Sequence, residues 1–268
     1  MTLVARDVAV AYGPRVALEP TSVELLRGEL VALVGPNGAG KTSLLKALAG
    51  LLPHAGTVSW SGVDVASLEP RARARAIAYL PQTPALHWPL RARELVGLGR
   101  LPHRGYGAPP SDADRRATEW ALAQTETAEL AERGVDGLSS GERARVLLAR
   151  ALAVRAPALL VDEPIATLDP YHQLQVMAML RAYADGSGTS DDAREPRAAL
   201  VVAVLHDLSL AARFCTRVLL LDAGKVVDDG RPEVVLSARA LERHYRVQPV
   251  VTTYEGEPLI LPWRRLGR

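Results

Sequence analysis

The amino-acid sequence predicts an α/β fold: a mostly parallel sheet flanked by helices, with an antiparallel β subdomain and an inserted helical subdomain. Three observations support this prediction. Continuous apolar runs alternate with helical stretches, two strand-like segments stand near the N-terminus, and the strand signal fades between Gln82 and Gly137. Continuous apolar runs are typical of strands buried on both faces. Their alternation with helices is typical of a parallel sheet.

The parallel sheet is predicted from four runs rich in Val, Leu and Ala, at residues 30–34, 158–161, 200–205 and 218–221. Between them, apolar residues recur three and four positions apart, which is the period of a helix with one buried face. The predicted helices cover residues 41–52, 143–153 and 171–183.

The antiparallel subdomain is predicted from residues 3–12 and 16–25, two strands joined at Gly13-Pro14. Residues 250–254 and 259–261 flank Glu255-Gly256-Glu257, which predicts a C-terminal hairpin, whereas residues 185–196 are predicted to form a surface loop. The predicted division is a main domain over 1–246, with its core at 1–81 and 139–246 and a helical subdomain at 82–138. An extension over 247–268, with the hairpin and a basic tail, follows.

The composition argues for a folded protein without disulfides or membrane spans. The chain is 48% hydrophobic and 23% charged, as ordinary globular proteins are. A single cysteine, Cys215, cannot form an intrachain disulfide and fits a reducing compartment. No apolar run approaches the roughly 20 residues that cross a bilayer, and the first ten residues lack the pattern of a secretory leader. A net charge of +2, with arginines spread along the chain, does not favour nucleic acid as a partner.

A phosphate-binding loop is predicted between the strand at 30–34 and the helix at 41–52. The residues Gly35-Pro36-Asn37-Gly38-Ala39-Gly40-Lys41-Thr42 fit the pattern G-x-x-x-x-G-K-[ST]. Glycines let several backbone N–H groups point at one phosphate chain, and the helix adds its positive dipole end. Lys41 can reach the β- and γ-phosphates of ATP, and the Thr42 hydroxyl can ligate Mg²⁺. With Ser43, which follows directly, these residues are the predicted core of an ATP site in a P-loop NTPase fold.

Two adjacent carboxylates, Asp162 and Glu163, stand at the end of the apolar run 158–161. The carboxyl ends of strands are where open α/β sheets bind ligands. Because neighbouring strand residues face opposite ways, we expect the pair to divide its work. Asp162 would orient Mg²⁺ or its water, and Glu163 would polarise the water that attacks the γ-phosphate.

The segment Leu138-Ser139-Ser140-Gly141-Glu142 resembles the signature motif of ABC ATPases, whose usual form is L-S-G-G-Q. It also has the pattern of a helix cap. The order and spacing of motifs resemble that family along nearly the whole chain. The resemblance implies a head-to-tail dimer of two copies, in which Ser139 and Gly141 contact the ATP bound to the other copy. Ser140 replaces a glycine and is expected to narrow the backbone freedom of this turn.

The same resemblance assigns roles to four further residues that are uninformative on their own. Gln82 matches the Q-loop glutamine, which touches Mg²⁺ or the attacking water. Asp169, in Thr167-Leu168-Asp169, matches the D-loop residue that acts across the dimer. His206 matches the switch histidine that hydrogen-bonds the γ-phosphate, and Tyr12 the aromatic residue that stacks on adenine. A histidine at a strand end or a tyrosine in a strand would otherwise be read as structural.

Softer motifs resemble the ATPases of iron–siderophore, haem and cobalamin importers. They lie at residues 98–103, 168–173, 206–213 and 231–233, and plain packing and capping is the alternative explanation. His87, Trp88 and Arg91 are predicted to lie in the groove that receives a permease. The implied partners are a second copy, transmembrane permease subunits and, indirectly, a substrate-binding protein. The implied location is peripheral, on the cytoplasmic face of the inner (plasma) membrane.

The sequence therefore predicts the ATP-binding, ATP-hydrolysing subunit of an ABC importer for ferric siderophore or haem. Alternatives are the ATPase of a cobalamin, zinc or manganese importer or of an exporter. A chromosome-maintenance or DNA-repair ATPase would place a long coiled coil between the loop and the signature, where this chain has under a hundred residues and no heptads. A module that binds ATP without hydrolysing it is disfavoured because Gln82, Asp162, Glu163 and His206 are all present.

Overall fold

The computed structural model describes residues 1–82, 89–187 and 198–267. Its strands are β1 (Thr2–Tyr12), β2 (Arg15–Leu26), β3 (Leu30–Val34), β4 (Ala55–Trp60), β5 (Val63–Asp64), β6 (Ile77–Leu80), β7 (Ala158–Asp162), β8 (Leu200–Val204), β9 (Arg217–Asp222), β10 (Lys225–Gly230), β11 (Val247–Tyr254) and β12 (Glu257–Arg265). Its α-helices are α1 (Lys41–Leu48), α2 (Pro70–Ala76), α3 (Ala92–Gly97), α4 (Asp112–Gln124), α5 (Ser140–Ala153), α6 (Pro170–Asp185), α7 (Leu208–Phe214), α8 (Pro232–Val235) and α9 (Ala238–Tyr245). The α/β fold class predicted from the sequence is confirmed.

The chain divides into two units. The first is made of Met1–Ala66 with Val202–Arg268, and the second of Ser67–Val201. The strand β8 spans the sequence boundary between them, and all of its residues are buried. The domain boundaries given above from the sequence stay a prediction.

The first unit contains the predicted antiparallel strands. In one sheet the strands run in the order β2, β1, β4 and β5, and the turn between β1 and β2 falls at the predicted Gly13. The strand β3, whose five residues are all buried, pairs in parallel with β9 through residues 31–34, and β10 is antiparallel to β9. The hairpin of β11 and β12 turns at Glu255 and Gly256, both at positive φ, as tight hairpin turns require.

The second unit contains the helical insertion and two parallel strands. β6 and β7 pair in parallel and in register from Ile77 with Ala158, so their carboxyl ends lie side by side. The helices α3, α4 and α5 pack on one another, which confirms helical structure in the segment where the strand signal fades. In the part of the chain that the structure describes, no helix is both long enough and apolar enough to span a membrane.

One helix is shorter than its pattern predicts. The apolar period continues to residue 52, but α1 ends at Leu48. Gly50 adopts φ 65°, and the Leu51 N–H donates to the Lys46 carbonyl across the turn at 2.9 Å. This left-handed glycine closes the last turn in the manner of a Schellman motif, so the chain leaves the helix one turn early.

A buried ion pair holds the end of α5. The Arg100 Nε lies 3.0 Å from the Asp114 Oδ1, and both side chains are about nine-tenths buried. The same guanidinium donates to the carbonyls of Ala153 and Val154, at 2.7 and 3.2 Å, and so caps the carboxyl end of α5. Burial opposes ionisation of Asp114, but hydrogen bonds from Ser111 and Arg100 outweigh it and lower its pKa to about 2. The segment 98–103, interpreted above as a subgroup motif, thus has a packing role.

We expect Arg100→Ala to lower the free energy of unfolding by about 3–5 kcal/mol, because it leaves the Asp114 carboxylate buried without its partner. Urea unfolding followed by circular dichroism measures the loss. Arg115→Ala is the matched control, since Arg115 pairs with Asp112 in an exposed bridge and exposed bridges contribute little. Equal losses in the two variants would contradict the role given to the buried pair.

Candidate nucleotide-binding site

The glycine-rich loop of the first unit joins β3 to α1 through backbone conformations that favour glycine. Gly35 has φ 144° and Gly40 has φ 101°. A Cβ atom on Gly35 would lie 2.0 Å from the Leu221 carbonyl oxygen, and one on Gly40 would lie 2.6 Å from that of Ala17. These distances are far below van der Waals contact, so the loop could not follow this path with larger residues.

The amino end of α1 carries no capping side chain. Gly40 is its N-cap, and its first turn has no acidic residue. By contrast, a Ser or Asp oxygen caps α4, α5, α6 and α7. Lys41 is buried, and its Nζ donates to the carbonyls of Gly35 and Pro36 at 2.7 and 3.0 Å. An uncapped helix end with a lysine ammonium inside the preceding loop has the chemistry of a phosphate site.

Three more predicted residues lie in the first unit. The Tyr12 hydroxyl is 3.5 Å from the Ser43 Oγ, and about half of the Tyr12 side chain is exposed. His206 is exposed and lies two residues after the end of β8, next to Leu205, whose N–H donates to the Leu33 carbonyl at 3.1 Å. Asp207, the next residue, caps α7. Tyr12, the loop and Ser43 are thus brought together in one unit.

The predicted acidic pair and the Q-loop glutamine lie in the second unit. The Gln82 Nε2 donates to the Glu163 Oε2 at 2.6 Å, which the adjacent ends of β6 and β7 make possible. Asp162 is buried at the end of β7, whereas Glu163 lies beyond the strand at φ 53°. Glu163 therefore does not follow the alternation of side chains expected for neighbouring strand residues. A left-handed turn aims its side chain instead, a conformation that is uncommon in residues other than glycine and concentrates at functional sites.

The signature segment forms the amino end of α5 and is a capping box. The Ser139 Oγ accepts the Glu142 N–H at 3.2 Å, and the Glu142 Oε2 accepts the Ser139 N–H at 2.8 Å. The hydrogen bond from the Ser139 backbone is the largest of the causes that lower the Glu142 pKa. Ser140 is already helical, so the backbone of this turn does not need a glycine there. Glu142 supplies the acceptor that the cap requires.

The D-loop aspartate is engaged within its own chain. The Asp169 Oδ1 accepts the His172 N–H at 3.0 Å and caps α6, and its Oδ2 lies 2.8 Å from the His172 Nδ1. The backbone hydrogen bond from His172 is the main cause that lowers the Asp169 pKa. Of the predicted permease-groove residues, His87 and Trp88 lie outside the described residues. Arg91 is exposed and pairs with Glu132 at 2.9 Å.

One part of this site was missed by the sequence analysis. The turn after β9 packs on the loop, because the Gly224 N–H donates to the Ala39 carbonyl at 3.1 Å. The Gly224 carbonyl in turn accepts the Glu19 N–H at 2.7 Å. The dipeptide Ala223-Gly224 signals a turn, but no local pattern in the sequence places that turn against a loop almost 190 residues earlier.

Comparisons with known proteins agree with these motifs. A family model described as ABC transporter matches residues 18–166. The hemin import ATP-binding protein HmuV of Nocardia farcinica is 42% identical, and the match covers 98% of this chain and 90% of that relative. The cobalamin import ATP-binding protein BtuD of Halobacterium salinarum is 42% identical over 92% of this chain, which spans 59% of that relative. The iron(3+)-hydroxamate import ATP-binding protein FhuC of Bacillus subtilis is 34% identical, covering 94% of this chain and 90% of its own.

A solved structure has the same fold. The dimeric structure of the bacterial ABC transporter cassette MJ0796 is 26% identical in sequence and has a TM-score of 0.75. The match covers 86% of this chain and 98% of the cassette.

Proposed function

This chain belongs to the ABC transporter family, and from that premise we propose that it binds and hydrolyses ATP to power a membrane importer. The single observation that carries the proposal is the glycine-rich loop with the buried Lys41 in front of an uncapped helix. The other predicted residues then take roles around the nucleotide.

The proposed ATP site uses the first unit for the base and the phosphates. Tyr12, whose ring is half exposed, stacks on adenine. The backbone N–H groups of the loop and of Ser43, with the Lys41 ammonium, bind the phosphates. The Thr42 hydroxyl, the Asp162 carboxylate and the Gln82 amide oxygen are hard oxygen donors of the kind that Mg²⁺ prefers. When bound, Mg²⁺ neutralises charge on the β- and γ-phosphates.

Hydrolysis requires a group that accepts a proton from water. Glu163 takes this role, and the Gln82 amide orients it through the 2.6 Å hydrogen bond. His206 hydrogen-bonds the γ-phosphate.

The signature acts on a second copy of the chain. Ser139 and Gly141 present the amino end of α5, with its positive dipole, to the ATP held by the other copy, and Asp169 acts across the same interface. Such a twofold dimer contains two identical composite sites. The dimeric state of the solved cassette supports this arrangement. Closure of the dimer around ATP moves the permease, and hydrolysis reopens it.

The proposed cargo is haem or a ferric siderophore. The names of the hemin and iron(3+)-hydroxamate relatives support it, and the cobalamin relative makes cobalamin the second candidate. The proposed location is peripheral, on the cytoplasmic face of the inner membrane, bound to permease subunits and served by a substrate-binding protein.

We expect Lys41→Ala to abolish import of one of the three cargoes, because the variant loses the ammonium that binds the β- and γ-phosphates. Uptake of labelled haem, ferric hydroxamate and cobalamin is measured in cells whose own copy is deleted and replaced by the wild type or the variant. Lys46→Ala removes the same charge at the other end of α1 and is the control that should retain uptake. If all three cargoes enter normally with Lys41→Ala, the importer proposal is wrong.

A further inference from the structure

The C-terminal helix α9 reaches the beginning of the phosphate loop. The phenol of Tyr245, the last residue of α9, lies beside the backbone of Gly35, the first residue of the loop. Burial raises the pKa of Tyr245 well above its ordinary value, and the hydrogen bond from Gly35 opposes this only in part. The phenol is therefore protonated near neutral pH.

The same helix reaches the other end of the loop through the turn after β9. The His244 Nδ1 lies 2.9 Å from the Asp222 Oδ2. Asp222 ends β9, and the turn that follows it contains Gly224, whose N–H donates to the Ala39 carbonyl. Tyr245 thus contacts the first residue of the loop directly. Its neighbour His244 acts near the end of the loop, through Asp222 and the turn that contains Gly224.

The β11–β12 hairpin, which follows α9, is hydrogen-bonded to α7, the helix that begins two residues after His206. The Ser209 Oγ donates to the Ile260 carbonyl at 2.8 Å and accepts the Ile260 N–H at 2.9 Å. Ser209 lies in the first turn of α7, three residues after His206. The end of the hairpin returns to α9, where the Leu266 N–H donates to the Arg246 carbonyl at 2.9 Å.

We propose that α9 and the β11–β12 hairpin form a brace that holds the phosphate loop and the start of α7 in the conformation that binds ATP, with Tyr245 and His244 as positioning residues for the loop. The proposal rests on the nucleotide site proposed above. Leu241 and Ile260 are buried, so the segment also completes the core. Core packing, however, does not require a hydroxyl hydrogen-bonded to Gly35 or an imidazole on Asp222.

The first test is Tyr245→Phe, which keeps the ring and removes only the hydroxyl. We expect the Kd for a fluorescent ATP analogue to rise about 3–10-fold, the usual cost of one hydrogen bond, with kcat within about twofold and a melting temperature lowered by no more than about 4 °C. In the protein without nucleotide, the peptide covering residues 30–40 should exchange its amide hydrogens faster. Tyr254→Phe, on an exposed hairpin tyrosine, is the matched control and should change neither measurement.

The second test asks whether His244 acts through Asp222. His244→Ala should weaken binding of the ATP analogue by a similar factor, and His244→Asn, whose amide can replace the Nδ1 as a donor, should restore it. Ser209→Ala should instead lower kcat with little change in Kd, since it frees the helix after His206 and leaves the loop alone.

The outcomes separate the brace from the proposed function. If the wild type binds no nucleotide, the proposed function fails. If the wild type binds the analogue and Tyr245→Phe binds it equally well, with unchanged exchange in residues 30–40, the brace is wrong. If the variants lose ATP-analogue binding only in proportion to a lowered melting temperature, and His244→Asn does not restore binding, the segment contributes only core packing and the proposal is overturned.

Discussion

Glu163→Gln is expected to lower the ATP turnover number about 10²–10⁴-fold, the contribution of a general base, while ATP still binds. Glutamine has the size of glutamate. Its amide oxygen can accept the hydrogen bond that the Gln82 Nε2 donates to the Glu163 Oε2 at 2.6 Å in the wild type. It cannot take a proton from water. The phosphate loop lies elsewhere in the sequence and is untouched by the change.

Turnover is measured as phosphate release at saturating ATP, and binding as the Kd of a fluorescent ATP analogue. Glu233→Gln removes a carboxylate that is exposed and paired only loosely with Arg231, so this control should retain wild-type turnover. The slow variant should also accumulate as an ATP-bound dimer in size-exclusion chromatography. If Glu163→Gln hydrolyses ATP at the wild-type rate, Glu163 is not the general base.

The phosphate loop could be predicted from the sequence because its physics is local. Its glycines, its lysine and the helix that follows are contiguous in the sequence, and the contacts of the Lys41 Nζ with the Gly35 and Pro36 carbonyls lie within that run. The same holds for β3, whose five buried residues form one apolar run. The capping box at Ser139 and Glu142 is likewise a pattern of four consecutive residues.

The supports of the loop could not be predicted, because they depend on contacts between distant parts of the chain. Tyr245 lies 210 positions after Gly35, and nothing in the helix that carries it distinguishes its hydroxyl from that of an exposed tyrosine. The conformation of Glu163 could not be predicted from the apolar run that precedes it either. An apolar run shows where a strand passes, but the left-handed turn that ends it depends on packing of the residues that follow.

Gly141→Asp is expected to lower ATP turnover at least about 100-fold while the chain stays folded. A Cβ at this position meets the Thr167 carbonyl oxygen at 3.5 Å and the Leu168 Cδ2 at 3.6 Å, which is ordinary contact. A carboxylate in the first turn of α5 is also favoured by the helix dipole. In the closed dimer, however, it would face the γ-phosphate held by the second copy, and like charges repel strongly in such a site. The melting temperature checks folding, and Gly141→Ala separates the effect of charge from that of size.

Mixing Gly141→Asp with Lys41→Ala then tests whether the signature acts on the other copy. If it does, each mixed dimer has one site with both defects and one intact site, made of the Lys41 of one chain and the Gly141 of its partner. An equimolar mixture should then recover about a quarter of wild-type single-turnover hydrolysis, since about half of the dimers are mixed and each keeps one of two sites. If the signature acts on its own chain, every site in every dimer carries a defect. Absence of recovery in the single-turnover assay, which does not require two working sites, would therefore place the signature in its own chain's site.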